Sequence, residues 1–412
     1  KVRSAGISEK GPIREANEDA LLIDDALGLY IVCDGMGGAA GGAKASQLAI
    51  SAVHKCILEL QTSLEQPLTT HHDRQHLANI LRGAILFACS KIYQESIEHP
   101  ELTGMGTTLT AVLIRGGVAV MGHVGDSRLY LLRDQELHLL SSDHTVVHEM
   151  VLQGVMTPEE ALLSPHRHIL SRALGVSEAV QVDTLIFDLL LDDRLFLVSD
   201  GIFDVFSSSE ISPLFSSKKS PAEISQHCIR EALHAQSEDN VTALVLHMET
   251  SDEQHTLDEE RQGEVTLKLE RLRTMYLFQR LELPILVRLV EHSLVRSLSK
   301  GEILFEEGDA GDSLYIILRG SLEVIYHDTI LATLHEGNHV GEMSLLDDSP
   351  RTATIRSCCD TTVLQLSRSE LLSIAREDPH SGVDLFYALS RELSSRLRKA
   401  NEALSNMEGH SL

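Results

Sequence analysis

Between Tyr30 and Gly42 the chain reads YIVCDGMGGAAGG, an apolar run that delivers a carboxylate and then sheds its side chains. Tyr30–Cys33 has the composition of a buried strand. Asp34 follows at once, and beyond it Gly35, Gly37, Gly38, Gly41 and Gly42 are separated only by Met36 and two alanines. An ordinary turn needs one or two glycines. A run this rich makes the backbone itself the working surface, with room for main-chain oxygen and solvent to reach the acid. Any fold for this chain must therefore end a core strand at a chemically active edge.

The same setting recurs along the sequence. Asp126 sits in GHVGDSR, Asp200 in LFLVSDG and Asp239 in SEDNVTAL, while Glu18 and Asp19 sit together in REANEDA. Each acid alone reads as a turn former. Several in one strand-rich region are different, because clustered carboxylates repel one another unless cations lie between them. Hard oxygen donors suit Mg2+ or Mn2+ rather than zinc. The balance of 61 acidic against 35 basic residues, a net −26, repels nucleic acid and anionic membrane, so neither is expected as a partner. No apolar run approaches the ~18 residues of a membrane span, and no signal peptide is visible. The six cysteines show no CxxC spacing, which fits a reducing compartment and a cytoplasmic location.

Residues 1–249 mix strand-like runs (LGLYIVCD, TTLTAVLI, VAVMGHVGD, RLYLLR, RLFLVSD, NVTALVLHM) with helical stretches at 43–60 and 74–96. RGG between two of the runs is a hairpin signal. Hairpin strands with helices in the long connections predict an α+β sandwich flanked by helices. HHDRQH at 71–76 reads as a polar loop. Residues 250–264, TSDEQHTLDEERQGE, read as a linker whose later part can begin a helix. Residues 265–412 read as a second domain: a helical run over 265–298 interrupted at Pro284, then short Gly-spaced strands predicting a jelly-roll barrel, then an amphipathic helix over 382–407. The Leu385, Phe386, Leu389, Leu393, Leu397, Leu404 stripe of that helix reads as core packing, with a homodimer seam as the alternative.

REANEDA, CDGMGG, GMGTTLTA, GHVGDSRLYLLR, HILSRALG, LVSDGIFD and EDNVTALVL stand in the order found in metal-dependent protein Ser/Thr phosphatases of the 2C family, which the region 1–248 resembles. The resemblance implies a β-sandwich with a two-metal site at one end. It implies that Asp34 bridges two Mn2+ or Mg2+ ions and that the Gly35 carbonyl binds one of the two, that Asp200 and Asp239 hold one ion, and that Glu18 reaches the other through water with Asp19 in support. Asp126 and Asp204 would take a third, weaker ion, and Arg14 the phosphate of a phosphorylated protein substrate. Two such ions lower the pKa of water and neutralise phosphoryl oxygens, so no Ser or Cys nucleophile is needed. Cys33 therefore reads as a packed strand residue. Many relatives carry His where this chain has Met36, which cannot donate a proton. A metal-bound water is the first candidate for that role; His123 and His144 are the alternatives, although strand and loop histidines are usually structural.

The later segment HVGEMSLLDDSPRTATIRS joins a glycine, a short helical turn and an arginine. Free N–H groups and a guanidinium make an anion pocket. The segment resembles the phosphate-binding cassette of cyclic nucleotide-binding domains, and the likeness spans about 272–407. It implies that Glu342 takes a ribose hydroxyl and Arg351 the cyclic phosphate of cAMP or cGMP, assisted by the backbone of Gly341, Glu342, Met343 and Ser344, with Thr352 beside the base. The two resemblances together imply a phosphatase regulated by a cyclic nucleotide. The alternative is a non-catalytic sensor or scaffold that uses the phosphatase fold to bind partners.

Overall fold

The computed structural model describes residues 1–38, 40–64, 66–68, 70–206, 208–215, 219–249, 255–345 and 349–408. The first unit, Lys1–Asp258, carries strands β1 (Val2–Glu9), β2 (Ala20–Asp24), β3 (Leu29–Cys33), β4 (Gly35–Met36), β5 (Gly106–Thr107), β6 (Leu109–Arg115), β7 (Val118–Val124), β8 (Arg128–Arg133), β9 (Glu136–Leu139), β10 (Asp183–Asp188), β11 (Arg194–Val198) and β12 (Val241–Met248). Ten of them form two five-stranded sheets, ordered β1-β12-β11-β8-β9 and β10-β7-β6-β3-β2, with every pairing antiparallel.

β3 shows why the sheets stack. All five of its residues are buried. Leu29, Ile31 and Cys33 pack against the helices Gly41–Glu59 and His71–Glu98. Tyr30 and Val32 alternate to the other face and are equally buried. On the second sheet Phe196 and Val198 of β11 pack against Ser208–Phe215 and Pro221–His234, with Phe196 stacked on Phe215 at 4.1 Å. Leu195 and Leu197 point inward with no exposed surface. The result is a four-layer sandwich of helix, sheet, sheet and helix, the α+β arrangement expected.

Two sequence expectations are corrected. HHDRQH is not a loop. It forms the first turns of the helix His71–Glu98, started by Thr70, whose hydroxyl accepts from Asp73 N while the Asp73 carboxylate accepts from Thr70 N. Its polarity reflects an exposed helix end. The helical run over 265–298 also stops short: the helices are His255–Thr274 and Leu283–Glu291, and Pro284 lies in the first turn of the second, where no N–H is required. Residues 294–298 are a strand instead, β13 (Leu294–Leu298), paired with a later one. Of the expected linker, 250–254 lie outside the described residues and 255–264 belong to the helix His255–Thr274.

The second unit, Glu259–Leu412, continues with β14 (Ile303–Phe305), β15 (Ser313–Arg319), β16 (Ser321–Tyr326), β17 (Thr329–His335), β18 (His339–Val340), β19 (Thr354–Ser357) and β20 (Thr361–Ser367). These form two four-stranded sheets, β13-β20-β15-β18 and β14-β19-β16-β17. Leu298, Ile317 and Val363 from one and Leu304, Leu322 and Ile355 from the other share a single core. This is the double-sheet form of a jelly roll, with no hydrogen-bonded closure into a barrel among the described residues. In the last helix, Pro379–Glu408, Leu385 and Leu389 are buried, whereas Leu397 of the same stripe is exposed.

Candidate functional site

Asp34 leaves the end of β3 and is fixed by two threonines. Its N–H donates to Thr108 Oγ1 (2.9 Å), and its carbonyl accepts from Thr108 N and Thr107 Oγ1 (both 2.8 Å). Thr108 Oγ1 also meets Ser127 Oγ at 2.7 Å, which ties the Asp34 turn to the Asp126 turn. The glycines behind Asp34 answer a packing demand as well as a chemical one. A Cβ on Gly35 would stand 2.1 Å from Gly42 O and 2.7 Å from Glu18 O, and one on Gly42 would stand 2.6 Å from Glu18 Oε1. Three backbone segments are pressed together here so that Glu18 can reach the acid cluster.

The remaining acids arrive from separate elements. Asp200 opens the short helix Asp200–Phe203, Asp204 closes it, and Asp239 precedes β12. Arg14, Glu18, Asp34, Gly35, Met36, Asp126, Asp200, Asp204 and Asp239 all line one cavity of about 1330 Å³. Asp19 lies behind it, buried, with its Oδ2 accepting from Ser199 Oγ (2.7 Å) and Thr242 Oγ1 (2.6 Å). The structure thus brings together every acid named from the sequence in this half of the chain.

Asn240 was not singled out by sequence reasoning. Its Oδ1 accepts from Glu18 N at 2.8 Å, and its Nδ2 donates to Lys10 O and Ala16 O at 2.6 and 3.0 Å. One buried amide therefore holds the whole Lys10–Glu18 loop that carries Arg14. Arg14 is half-exposed at the rim, paired with Asp239 and 3.9 Å from Glu18 Oε2. His123 and His144 do not line the cavity. Both are buried, and they anchor its wall. His144 Nδ1 accepts from Gly125 N at 3.1 Å and its Nε2 faces Asp183, while His123 bridges Thr110 and the Ser142 carbonyl.

Electrostatics mark the cavity as built for positive charge. Burial, then repulsion from Asp19, Asp200, Asp126 and Asp239, pushes Asp34 far above the ordinary carboxylate range. Burial and the neighbouring acids do the same to Asp200. Asp19 is pushed up to about 6 and Asp126 to about 7, burial again leading. Buried oxygens of three acids, Glu18 Oε1, Asp19 Oδ1 and Asp200 Oδ1, have no hydrogen-bond partner among the described residues. Buried carboxylate oxygens are costly unless they meet donors or cations. An all-oxygen donor set with unsatisfied members fits hard divalent cations.

In the second unit Arg351 is buried, stacked 4.2 Å over Phe305, and donates from Nη2 to Ser313 O (2.9 Å) and from Nη1 to Gly341 O (3.3 Å). Its backbone is pinned by bonds with Asp309 and Gly308. Burial pulls its pKa down. Gly341 has a φ of +85°, and a Cβ there would meet Arg351 Nη1 at 2.5 Å, so glycine is required on both counts. Glu342, also buried, begins the short turn Glu342–Leu345 that contains Met343 and Ser344. Thr352 is exposed, its hydroxyl 3.9 Å from Met343 Sδ.

Residues 14–237 match the family model for protein phosphatase 2C, and residues 295–378 match that for a cyclic nucleotide-binding domain. The chain is 34% identical over 242 residues to the serine/threonine phosphatase stp of Listeria welshimeri, covering 58% of this chain and 93% of that one. The solved Mycobacterium tuberculosis serine/threonine phosphatase PstP/Ppp superposes with a TM-score of 0.54 at 35% identity, covering 60% of this chain and 99% of that one. The catalytic domain of PstP in complex with two manganese ions superposes with a TM-score of 0.52 at 34% identity and the same coverage.

Proposed function

Because the chain belongs to the protein phosphatase 2C family of metal-dependent Ser/Thr phosphatases and carries a cyclic nucleotide-binding domain, we propose that it removes phosphate from phosphoserine and phosphothreonine on proteins under the control of cAMP or cGMP. The observation that carries the catalytic half is the convergence of Glu18, Asp34, Asp126, Asp200, Asp204 and Asp239 on one cavity with buried carboxylate oxygens unsatisfied.

Asp34 and the Gly35 carbonyl, with Asp200 and Asp239 on one side and Glu18 supported by Asp19 on the other, would hold two divalent ions, and Asp126 and Asp204 would hold a third, weaker one. The ions, when bound, supply Lewis acidity at phosphorus and a water of lowered pKa. Arg14, held at the rim by Asp239 and Glu18, offers a planar pair of donors to phosphoryl oxygens and so orients the ester. Thr107, Thr108 and Asn240 keep the acids in register. Met36 contributes no proton, and His123 and His144 are too deeply buried to do so.

In the second domain Arg351 takes the cyclic phosphate, with Glu342 on the ribose hydroxyl and the Gly341–Ser344 backbone assisting. Thr352 and Met343 flank the base. The reading is tested by Mn2+-dependent hydrolysis of a phosphopeptide with and without each nucleotide. Asp34→Ala and Asp200→Ala abolish turnover and keep nucleotide binding, and Arg351→Ala does the reverse. Identical rates at saturating cAMP and cGMP would remove the regulatory half.

A further inference from the structure

Every ligand assigned so far is an oxygen, yet the cavity also contains an imidazole. His168, in SPHRHILSR, is the one histidine lining the cavity among the described residues. Its Nδ1 lies 3.4 Å from Asp204 Oδ2. One ligand atom each from His168, Asp200 and Asp204 falls within 4.8 Å of the other two. Shifts of a few tenths of an ångström bring all three onto one ion at the roughly 2.0–2.2 Å that nitrogen and carboxylate ligands take.

Local structure aims these groups. Asp204 follows Asp200 by one helical turn, closed by the bond from Asp204 N to Asp200 O at 2.9 Å, so the two carboxylates rise from one face. Asp200 Oδ1 is buried and has no hydrogen-bond partner among the described residues, which is a separate sign that a ligand completes it. His168 Nε2 accepts from Arg167 Nε at 2.8 Å, so without a cation the ring proton sits on Nδ1, the nitrogen that faces Asp204, and binding a cation there requires that bond to break and the proton to move to Nε2.

We propose that His168 Nδ1, Asp200 and Asp204 bind one divalent transition-metal ion, and that the imidazole makes this position prefer Mn2+ and its softer first-row neighbours to Mg2+. The proposal rests on the cation reading above: the position is the third and weakest one, already given to Asp126 and Asp204, and Asp200 is shared between it and its neighbour. Carboxylate and water ligands accept Mg2+ and Mn2+ alike, whereas an imidazole nitrogen favours the transition series. To present its Nδ1 lone pair the ring carries its proton on Nε2, and the exposed Arg167 side chain turns away into solvent.

The test is pulsed EPR on the full-length protein loaded with Mn2+, together with a Mn2+ binding titration. Wild type shows modulation from a directly bound 14N nucleus, and His168→Asn loses it. In the variant the weakest Mn2+ affinity falls at least the roughly tenfold seen when a supporting ligand is lost, while the tighter ions stay. Mg2+ then displaces the weakest Mn2+ more readily than it does in wild type. His168→Gln gives the same result and guards against an effect peculiar to asparagine. Bound Mn2+ without 14N modulation in wild type, or modulation that persists in both variants, overturns the proposal and leaves the two-cation reading standing. No Mn2+ uptake at all overturns both.

Discussion

Replacing Asp126 by asparagine should stabilise the metal-free protein while weakening its hold on cations. Asp126 is 7 % exposed and its carboxyl is pushed up to about 7 by burial, by Asp143 and by Asp204, against an ordinary value of 3.8. A folded-state pKa raised above the unfolded one is a penalty that is absent at low pH and grows as pH rises through that interval. The difference of 7 less 3.8, at 1.36 kcal/mol per unit, sets a ceiling of about 4 kcal/mol at pH 8, falling to about 2 at pH 5. For a unit of this size each kcal/mol moves the melting temperature by about 2–4 °C. Asp126→Asn should therefore melt up to roughly 8–16 °C above wild type at pH 8 in chelator. The gap should shrink at pH 5, and saturating Mn2+ should close it by neutralising the wild-type carboxylate. The assay is thermal unfolding at two pH values with chelator or Mn2+. A variant no more stable than wild type at pH 8 in chelator, or a gap indifferent to both pH and Mn2+, would refute the picture of a cavity strained by its own charge.

Gly35→Ala places a methyl within 2.1–2.7 Å of the backbone of Gly42 and Glu18, so calorimetry should find it destabilised by about 1–3 kcal/mol with weakened Mn2+ binding. Gly83→Ala, in the helix His71–Glu98 with nothing within 4 Å of the new methyl, should instead gain up to about 1 kcal/mol. His123 is buried with its pKa drawn down to about 4, chiefly by burial and then by His144. The unfolded chain takes up that proton near pH 6.5, so stability is full above 6.5 and roughly 3 kcal/mol is lost as pH falls toward 4. Urea titrations of wild type and His123→Gln should diverge by that amount across the window.

The fold was legible where one face or both of an element were strongly apolar. LYIVC, RLFLV and VTALVLHM announce core strands because each lies under helices or between sheets. β1, VRSAGISE, did not: it is an edge strand, intermediate or exposed throughout, and its place is set by pairing with β12 rather than by its own pattern. LVRSL misled for the opposite reason, since its register with β20, more than sixty residues away in sequence, decides what its local spacing leaves open. The acids of the cavity were readable because each sits beside a turn signal. Asn240 and Thr108 were not, because they act by joining loops that only folding brings together. The glycines show a reason only half visible in sequence: they admit the backbone of Gly42 and of the Glu18 loop, not just solvent.

In the proposed reading a chain with a net charge of −26 binds two anions, a phosphoprotein and a cyclic phosphate, and its two domains address that in opposite ways. The first gathers acids until the cavity demands cations, so the anion is met by ions that the protein does not encode, with Arg14 at the rim. The second buries one encoded cation, Arg351, against Phe305, oriented by the Ser313 and Gly341 carbonyls, and needs no metal. A buried guanidinium is permanently charged and reads a phosphate by geometry. A carboxylate cluster takes its positive charge only when the ion is present. Stripping divalent ions should therefore silence the first site and leave nucleotide binding at the second unchanged, which phosphopeptide hydrolysis and a nucleotide titration in chelator would check. In the proposed reading, the regulatory domain goes on sensing nucleotide whether or not the catalytic one is loaded.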